Sequence, residues 1–121
     1  MQPKDLQNRT KDFALRIIKL AEVLEKHPVG KFIGRQIFRS GTSTAANYRA
    51  ACRAKSVKDF ISKLGIVIEE VDETGFWLEL LAESGIIKKE DIKDLFRESN
   101  ELTAIMVASK NSTIRNQRNK S

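Results

Sequence analysis

The residues that could carry catalytic or metal chemistry are few and isolated along the chain. His27 is the single histidine, so a metal pair or a Glu-x-x-His site has no second imidazole. The single cysteine, Cys52, would need a neighbouring base to act as a nucleophile, and its position on a helix predicts a small buried core residue instead. Glu69 and Glu73 share a helical face, which is an ordinary spacing on helix surfaces. We therefore expect no enzyme activity, no cofactor and no metal.

Cations at helical spacing indicate a different chemistry, the binding of phosphate groups. A helix of 3.6 residues per turn places five of them in a stripe about 80° wide: Lys31, Arg35, Arg39, Arg49 and Arg53. No acid occurs from Val29 to Lys58, and Lys55 and Lys58 extend the same basic segment. Such a stripe can follow a phosphate backbone. These residues, with Arg115 and Arg118 near the C-terminus, form the candidate nucleic-acid surface.

The same stripe could instead be neutralised inside the protein. Between Ile61 and Gly85 the chain holds six acids against the single cation Lys63; the acids are Glu69, Glu70, Asp72, Glu73, Glu79 and Glu83. If this segment packs beside the stripe, the two charged faces would balance one another. The sequence leaves both interpretations open.

A second apolar face is the other feature that a monomeric bundle does not need. Ile66, Phe76, Trp77 and Leu80 project about 160–260° away from the core side of their helix. Large aromatic side chains on a second face are typical of protein interfaces. We expect these four residues to form an interface between copies of the chain, the alternatives being a wide monomer core or a chain end that folds back over them.

Four amphipathic helices are expected to position these residues. Apolar periodicity predicts helices at 5–26, 31–54 and 89–109, and a third helix between Ser56 and Gly85. Ser56 and Asp59 have the spacing of a capping box, and Gly85 followed by Ile86 is typical of a Schellman stop. Asn47 is predicted to be a buried amide that fixes the register of its helix. Because the connections are short, the sequence predicts an all-α, antiparallel up-down four-helix bundle.

Length and charge distribution set the organisation of the chain. The 121 residues suffice for one core, which we place at 1–109, followed by a basic tail at 110–121 that we expect to be mobile. Residues 1–5 are polar with no apolar run behind them, no segment is apolar enough to cross a membrane, and the lone cysteine fits a reducing compartment. We expect a cytoplasmic protein without a membrane partner.

The segment from Ile33 to Arg49 reads IGRQIFRSGTSTAANYR, and it is followed by Arg53, Phe60 and the run WLELL at 77–81. These features resemble the four-helix bundle family named after the 23S rRNA intervening-sequence protein, over most of residues 6–110. The positions that match the pattern of the family are Gln36, Arg39, Asn47, Arg53 and Phe60. Ala50 and Ala51 stand where many members have an acid and a glycine.

The resemblance implies a pentameric barrel of bundles with a basic surface. The family includes proteins encoded in ribosomal RNA gene insertions. It also includes relatives that serve diversity-generating retroelements by binding nucleic acid and a reverse transcriptase. By resemblance, the expected partners are four further copies of the chain, RNA or DNA, and a reverse transcriptase.

These observations favour a non-catalytic, homo-oligomeric adaptor that binds structured RNA or DNA through the basic face of the second helix. The alternative is a protein-interaction module whose basic stripe is used in subunit contacts and which binds no nucleic acid.

Overall fold

The computed structural model describes residues 2–120, which form four α-helices and no strand. α1 spans Pro3–Leu24, α2 spans Gly30–Cys52, α3 spans Val57–Glu83 and α4 spans Lys89–Lys120. Each helix packs against its neighbour in sequence, and α1 also touches α4, so the helices close into a bundle. The predicted all-α four-helix bundle is confirmed.

Where two successive helices touch, residues of increasing number on one helix contact residues of decreasing number on the other. On α2, Gly34 lies against Leu24 of α1, whereas Gly41, two turns further on, lies against Ile17. The same reversal relates α2 to α3, since Ser40 bonds to Thr74 whereas the later Arg49 shares a groove with the earlier Lys63. It also relates α3 to α4, since Gly65 lies against Lys110 and Gly75 against Ser99. Consecutive helices therefore run in opposite directions, as the short connections require.

The helix ends are fixed by specific polar contacts. Ser56 Oγ accepts from the backbone N–H of Asp59 at 3.0 Å, which is the first half of the predicted capping box. The returning bond differs from the prediction, since Asp59 Oδ2 accepts from the N–H of Lys55, at 3.2 Å, and not from that of Ser56. Gly85 has a φ of 77°, a conformation that favours glycine and ends α3.

His27 has a structural position that the sequence did not reveal. Its Nδ1 accepts from the backbone N–H groups of Val29, at 3.1 Å, and Gly30, at 2.8 Å. These amides begin α2, where the first N–H groups of a helix lack intrahelical partners. The imidazole therefore caps α2.

The core combines large aliphatic side chains with small hydroxyl residues. Phe13, Ile17 and Leu78 are fully buried and belong to one apolar cluster of the core. Midway along the bundle, the hydroxyl oxygens of Ser40 and Thr74 lie 2.8 Å apart and join α2 to α3. Within residues 2–120, every buried side-chain nitrogen or oxygen has a hydrogen-bond partner.

Two predicted interior residues are less buried than expected. Asn47 is half-buried, and its Nδ2 donates to the carbonyl and the hydroxyl of Ser43, at 2.9 and 2.8 Å. The prediction of a buried amide is wrong, because the side chain is partly exposed to solvent. Both of its hydrogen bonds are made to Ser43 within α2. Cys52 is also half-buried, since α2 ends there.

The fourth helix is longer than its apolar pattern predicts. The expected end near Ser109 is wrong, because α4 continues to Lys120. In this continuation Thr113 Oγ1 donates to the carbonyl of Ser109 at 2.8 Å. The mobility of this segment stays a prediction, and Ser121 lies outside the described residues.

Candidate nucleic-acid interface

The five cations of the predicted stripe do not form one compact site. They follow α2 from Lys31 to Arg53, a rise of about 33 Å at 1.5 Å per residue. Lys31 is half-buried, and the other four are exposed. The structure therefore divides the stripe between the two ends of the bundle, with Arg39 near the middle.

Arg39 is paired with the acidic face of α3. Its two terminal nitrogens donate to Glu70, at 3.0 Å, and Glu73, at 2.7 Å. The hydrogen bond to Glu73, with the charge of Glu70, raises the pKa of Arg39. Glu73 also accepts from Trp77 Nε1 at 3.1 Å. This bond and the guanidinium lower the pKa of Glu73. At Arg39 the structure therefore agrees with the alternative in which acids of the same chain neutralise the basic stripe.

The cations near the start of α2 are also engaged within the chain. Arg35 donates at 3.1 Å to Glu25, the residue that follows α1, and both side chains are more than half exposed. Lys31 and Arg35 both lie over the ring of Phe32, at 5.4 and 5.9 Å from its centre. This end is close to electrically balanced, since residues 20–35 and 76–97 together hold seven acids and seven Lys or Arg residues.

The opposite end of the bundle, where α2 ends, α3 begins and α4 ends, is strongly cationic; we call it the basic end. Residues 45–63 hold one acid, Asp59, and five cations: Arg49, Arg53, Lys55, Lys58 and Lys63. Residues 107–120 of α4 add four cations and no acid: Lys110, Arg115, Arg118 and Lys120. The antiparallel packing therefore brings together six of the nine predicted binding residues.

A shallow groove on the basic end lies between α2 and α3. Arg49, Arg53, Lys55 and Lys63 line it together with Asp59; we call it the basic groove. Lys63 Nζ lies 2.6 Å from Asp59 Oδ1, and this contact and the N–H of Lys55 lower the pKa of Asp59. Asp59 is therefore ionised at neutral pH, and the cations of the groove outnumber it.

A second depression opens at the same end, on the other side of the α2–α3 turn, and we call it the apolar pocket. It has a volume of about 420 Å³ and draws its lining from all four helices and the turn, including Leu6, Tyr48, Cys52, Phe60 and Thr113. Burial raises the pKa of Tyr48, with a further contribution from Cys52, so the phenol is neutral. Sequence reasoning missed this pocket, because no periodicity within one helix reports a cavity shared by four.

The predicted interface residues of α3 lie at different depths. Ile66 and Phe76 are 41% and 51% exposed. Leu80 is half-buried. Trp77 is also half-buried, packs against the core, and has its ring centre 5.2 Å from that of Phe76. The exposed part of this face is therefore Ile66 and Phe76, and self-association through it stays a prediction.

In the described part of the chain, no group of three or more His, Cys, Asp or Glu side chains could hold a metal ion. None of the helices in residues 2–120 combines the length and the apolar character needed to cross a bilayer.

The fold and the site together define an all-α four-helix bundle with a cationic end. The family model of the 23S rRNA-intervening sequence protein matches residues 4–108, so the chain belongs to this family. A crystal structure of a protein of unknown function from the S23 ribosomal protein family of Bacteroides thetaiotaomicron is similar, with 34% identity and a TM-score of 0.85. The match covers 92% of this chain and 99% of that one.

No curated protein matches the chain significantly. Neither the description of the family nor that of the solved structure includes an enzymatic activity.

Proposed function

We propose that this protein is a non-catalytic, cytoplasmic, homo-oligomeric adaptor that binds RNA or DNA, and that the basic end makes the contact. The observation that carries the proposal is the convergence of α2, α3 and α4 on one end, where residues 45–63 and 107–120 hold nine cations and one acid. Phosphate contacts supply most of the sequence-independent affinity of proteins for nucleic acids.

The ion pairs within the chain decide which part of the predicted stripe is available. Arg39 shares its charge with two carboxylates, and Arg35 with one. Moving either side chain to a phosphate would expose the acids left behind, which repel the same phosphate. Arg49 and Arg53 lie instead in the basic groove, where Asp59 is the single acid. The proposal therefore shifts the binding face from the middle of α2 to its C-terminal end.

The name of the family refers to an intervening sequence of 23S rRNA, and the proposal adds that the protein itself contacts nucleic acid. Self-association is proposed through Ile66 and Phe76, which are large exposed apolar side chains on the same helix. Several copies would then present several basic ends to one nucleic acid, which strengthens binding through effective concentration.

The test is the salt dependence of binding. Affinity for an RNA hairpin and for duplex DNA would be measured by fluorescence anisotropy from about 50 to 200 mM salt, a range over which phosphate contacts lose much of their affinity. Arg49→Ala with Arg53→Ala should reduce the log–log slope by about 2, one contact for each arginine. The matched control, Arg16→Ala with Lys19→Ala, removes the same charge from exposed positions on α1 and should leave the slope near that of the wild type.

Two results would reject the proposal: affinity no better than millimolar at low salt, or equal losses in both double variants. The alternative function is a protein-interaction module, and the pairing of Arg39 with Glu70 and Glu73 favours it, because that part of the stripe is already neutralised. In that case the Arg49 and Arg53 variant would change the oligomer mass in light scattering while nucleic-acid binding stayed absent.

A further inference from the structure

The α2–α3 turn separates two depressions of opposite character. Arg53 and Lys55 line the basic groove. The residues that alternate with them, Cys52, Ala54 and Ser56, line the apolar pocket. Neighbouring residues of one short segment thus contribute to both, and the ridge between the depressions is a single chain wide.

The apolar pocket has a size and lining suited to a small ring system. Its volume of about 420 Å³ falls within the range of about 300–1,000 Å³ that is usual for small-molecule sites. Phe60, which is half-buried, contributes an aromatic surface. Ser56, Ser109 and Thr113 add hydroxyl groups to the otherwise largely apolar wall. Aromatic and hydroxyl groups together suit a flat heterocycle with polar edges, whereas an acyl chain has no partner for the hydroxyls.

The charge beside the pocket favours a ligand that carries phosphate. Within one residue of the pocket wall lie Arg53, Lys55 and Lys58. A nucleotide joins a flat base to a phosphate through one sugar. A single nucleotide is therefore long enough to place its base on one side of a ridge one chain wide and its phosphate on the other.

We propose that the apolar pocket receives one unpaired base of a single-stranded or looped nucleic acid, while the phosphates next to that base lie in the basic groove. This inference rests on the proposed nucleic-acid binding and adds the class of substrate. A base inside a duplex is stacked and paired, and it enters a protein pocket only after flipping out, which costs a few kcal/mol. The arrangement therefore selects strands whose bases are already free.

The experiment uses the full chain and three labelled probes with equal numbers of phosphates: a twelve-nucleotide RNA strand, an abasic strand of the same length, and a blunt duplex. Stacking of a base on an aromatic side chain is a substantial part of single-strand affinity, so the RNA strand should bind about tenfold more tightly than the abasic strand. The duplex should bind like the abasic strand.

A pocket-filling variant tests the location. Thr113→Trp places a large ring on the α4 wall of the pocket and should remove the preference for the RNA strand while leaving affinity for the abasic strand unchanged. Thr103→Trp is the matched control, because Thr103 is also a half-buried α4 residue whose hydroxyl donates to the carbonyl four residues earlier, at 2.8 Å. Circular dichroism would verify that both variants fold.

Cys52 provides an independent readout of occupancy. It is the single cysteine of the chain, is half-buried, and lines the pocket. Saturating RNA strand should slow its alkylation by iodoacetamide at least about fivefold, as expected for a thiol that bound ligand covers. The abasic strand should leave the rate unchanged.

The measurements distinguish failure of the proposed nucleic-acid binding from failure of the base-pocket inference. If no probe binds, the proposed function fails and this inference fails with it. If all three probes bind equally, or if Thr113→Trp keeps the preference for the RNA strand, nucleic-acid binding stands and the base-pocket inference is overturned. A change of oligomer mass in Thr113→Trp, without a change in RNA affinity, would place a second copy of the chain in the pocket and would also overturn it.

Discussion

Replacement of Gly41 by alanine is expected to destabilise the bundle, although the same change in most helices is stabilising. A Cβ added at Gly41 would lie 2.7 Å from Ile17 Cγ2, 2.8 Å from Cγ1 and 3.0 Å from Cβ. Ile17 is fully buried. Its β-branched side chain has one strongly preferred rotamer in a helix, so it cannot turn away. α1 and α2 would have to move apart.

The magnitude follows from two opposing effects. Alanine stabilises a helix interior by about 1 kcal/mol relative to glycine. Overpacking a close-packed core costs about 1–3 kcal/mol. Because the contact reaches the Cβ of a rigid side chain, we expect the upper part of that range and a net loss of about 1–2 kcal/mol. For a domain of this size the midpoint of thermal unfolding should fall by about 4–10 °C.

Gly65→Ala is the matched control. At Gly65 an added Cβ meets Lys110 Nζ at 3.3 Å and, apart from its chain neighbours and the nearby backbone of its own helix, no other heavy atom within 4 Å. A lysine terminus moves easily, so helix propensity alone should act and raise stability by about 0.5–1 kcal/mol. Both variants would be followed by circular dichroism on heating, at one protein concentration, because the unfolding midpoint of any protein that self-associates depends on concentration. A Gly41→Ala midpoint equal to or above that of the wild type would refute the close-packing argument.

Three further predictions concern the cap of α3, the Glu73 carboxylate and the end of α4. Ser56→Ala should lower the free energy of unfolding by about 1 kcal/mol through loss of the N-cap, whereas Ser62→Ala, exposed and within α3, should not lower it; urea unfolding would measure both. The pKa of Glu73 lies below its usual value, so the stability that its ionised form contributes is complete above the pKa of an unfolded glutamate and is lost as pH falls through the lower folded pKa. Fluorescence of Trp77, the single tryptophan, should report that protonation at a pH below the usual glutamate range, and the transition should be absent in Glu73→Gln. Truncation after Lys110 removes Arg115, Arg118 and Lys120, and it should reduce the salt slope of RNA binding by up to about 3; an unchanged slope would show that these cations do not meet phosphate.

The sequence predicted the four helices well because their apolar residues repeat at helical spacing. The α4 extension was missed for the same reason, since 110–120 has few apolar residues and its composition is typical of a tail. Helix propensity and continuity with a packed helix are sufficient to extend it. Asn47 was misplaced because a projection along one helix cannot distinguish an amide that bonds across helices from one that bonds to its own preceding turn.

The candidate site was only partly predictable. The cations were visible as a set, but which of them pair with acids depends on the register of α2 against α1 and α3. That register fixes the bonds of Arg39 to Glu70 and Glu73, and of Arg35 to Glu25. The apolar pocket and the role of His27 as a cap arise from chain segments whose proximity exists only in the folded bundle.

The uneven charge of the two ends affects the molecule before any contact forms. One end of the rod holds ten Lys or Arg residues and two acids in residues 2–8, 45–63 and 107–120, and the other end holds a balanced set, so the molecule experiences a torque in the field of a polyanion. The torque turns the cationic end toward the polyanion while the partners are still about a Debye length apart, roughly 10 Å at 0.1 M salt. Diffusional encounters are thereby biased toward the productive orientation, and that bias weakens as ionic strength rises.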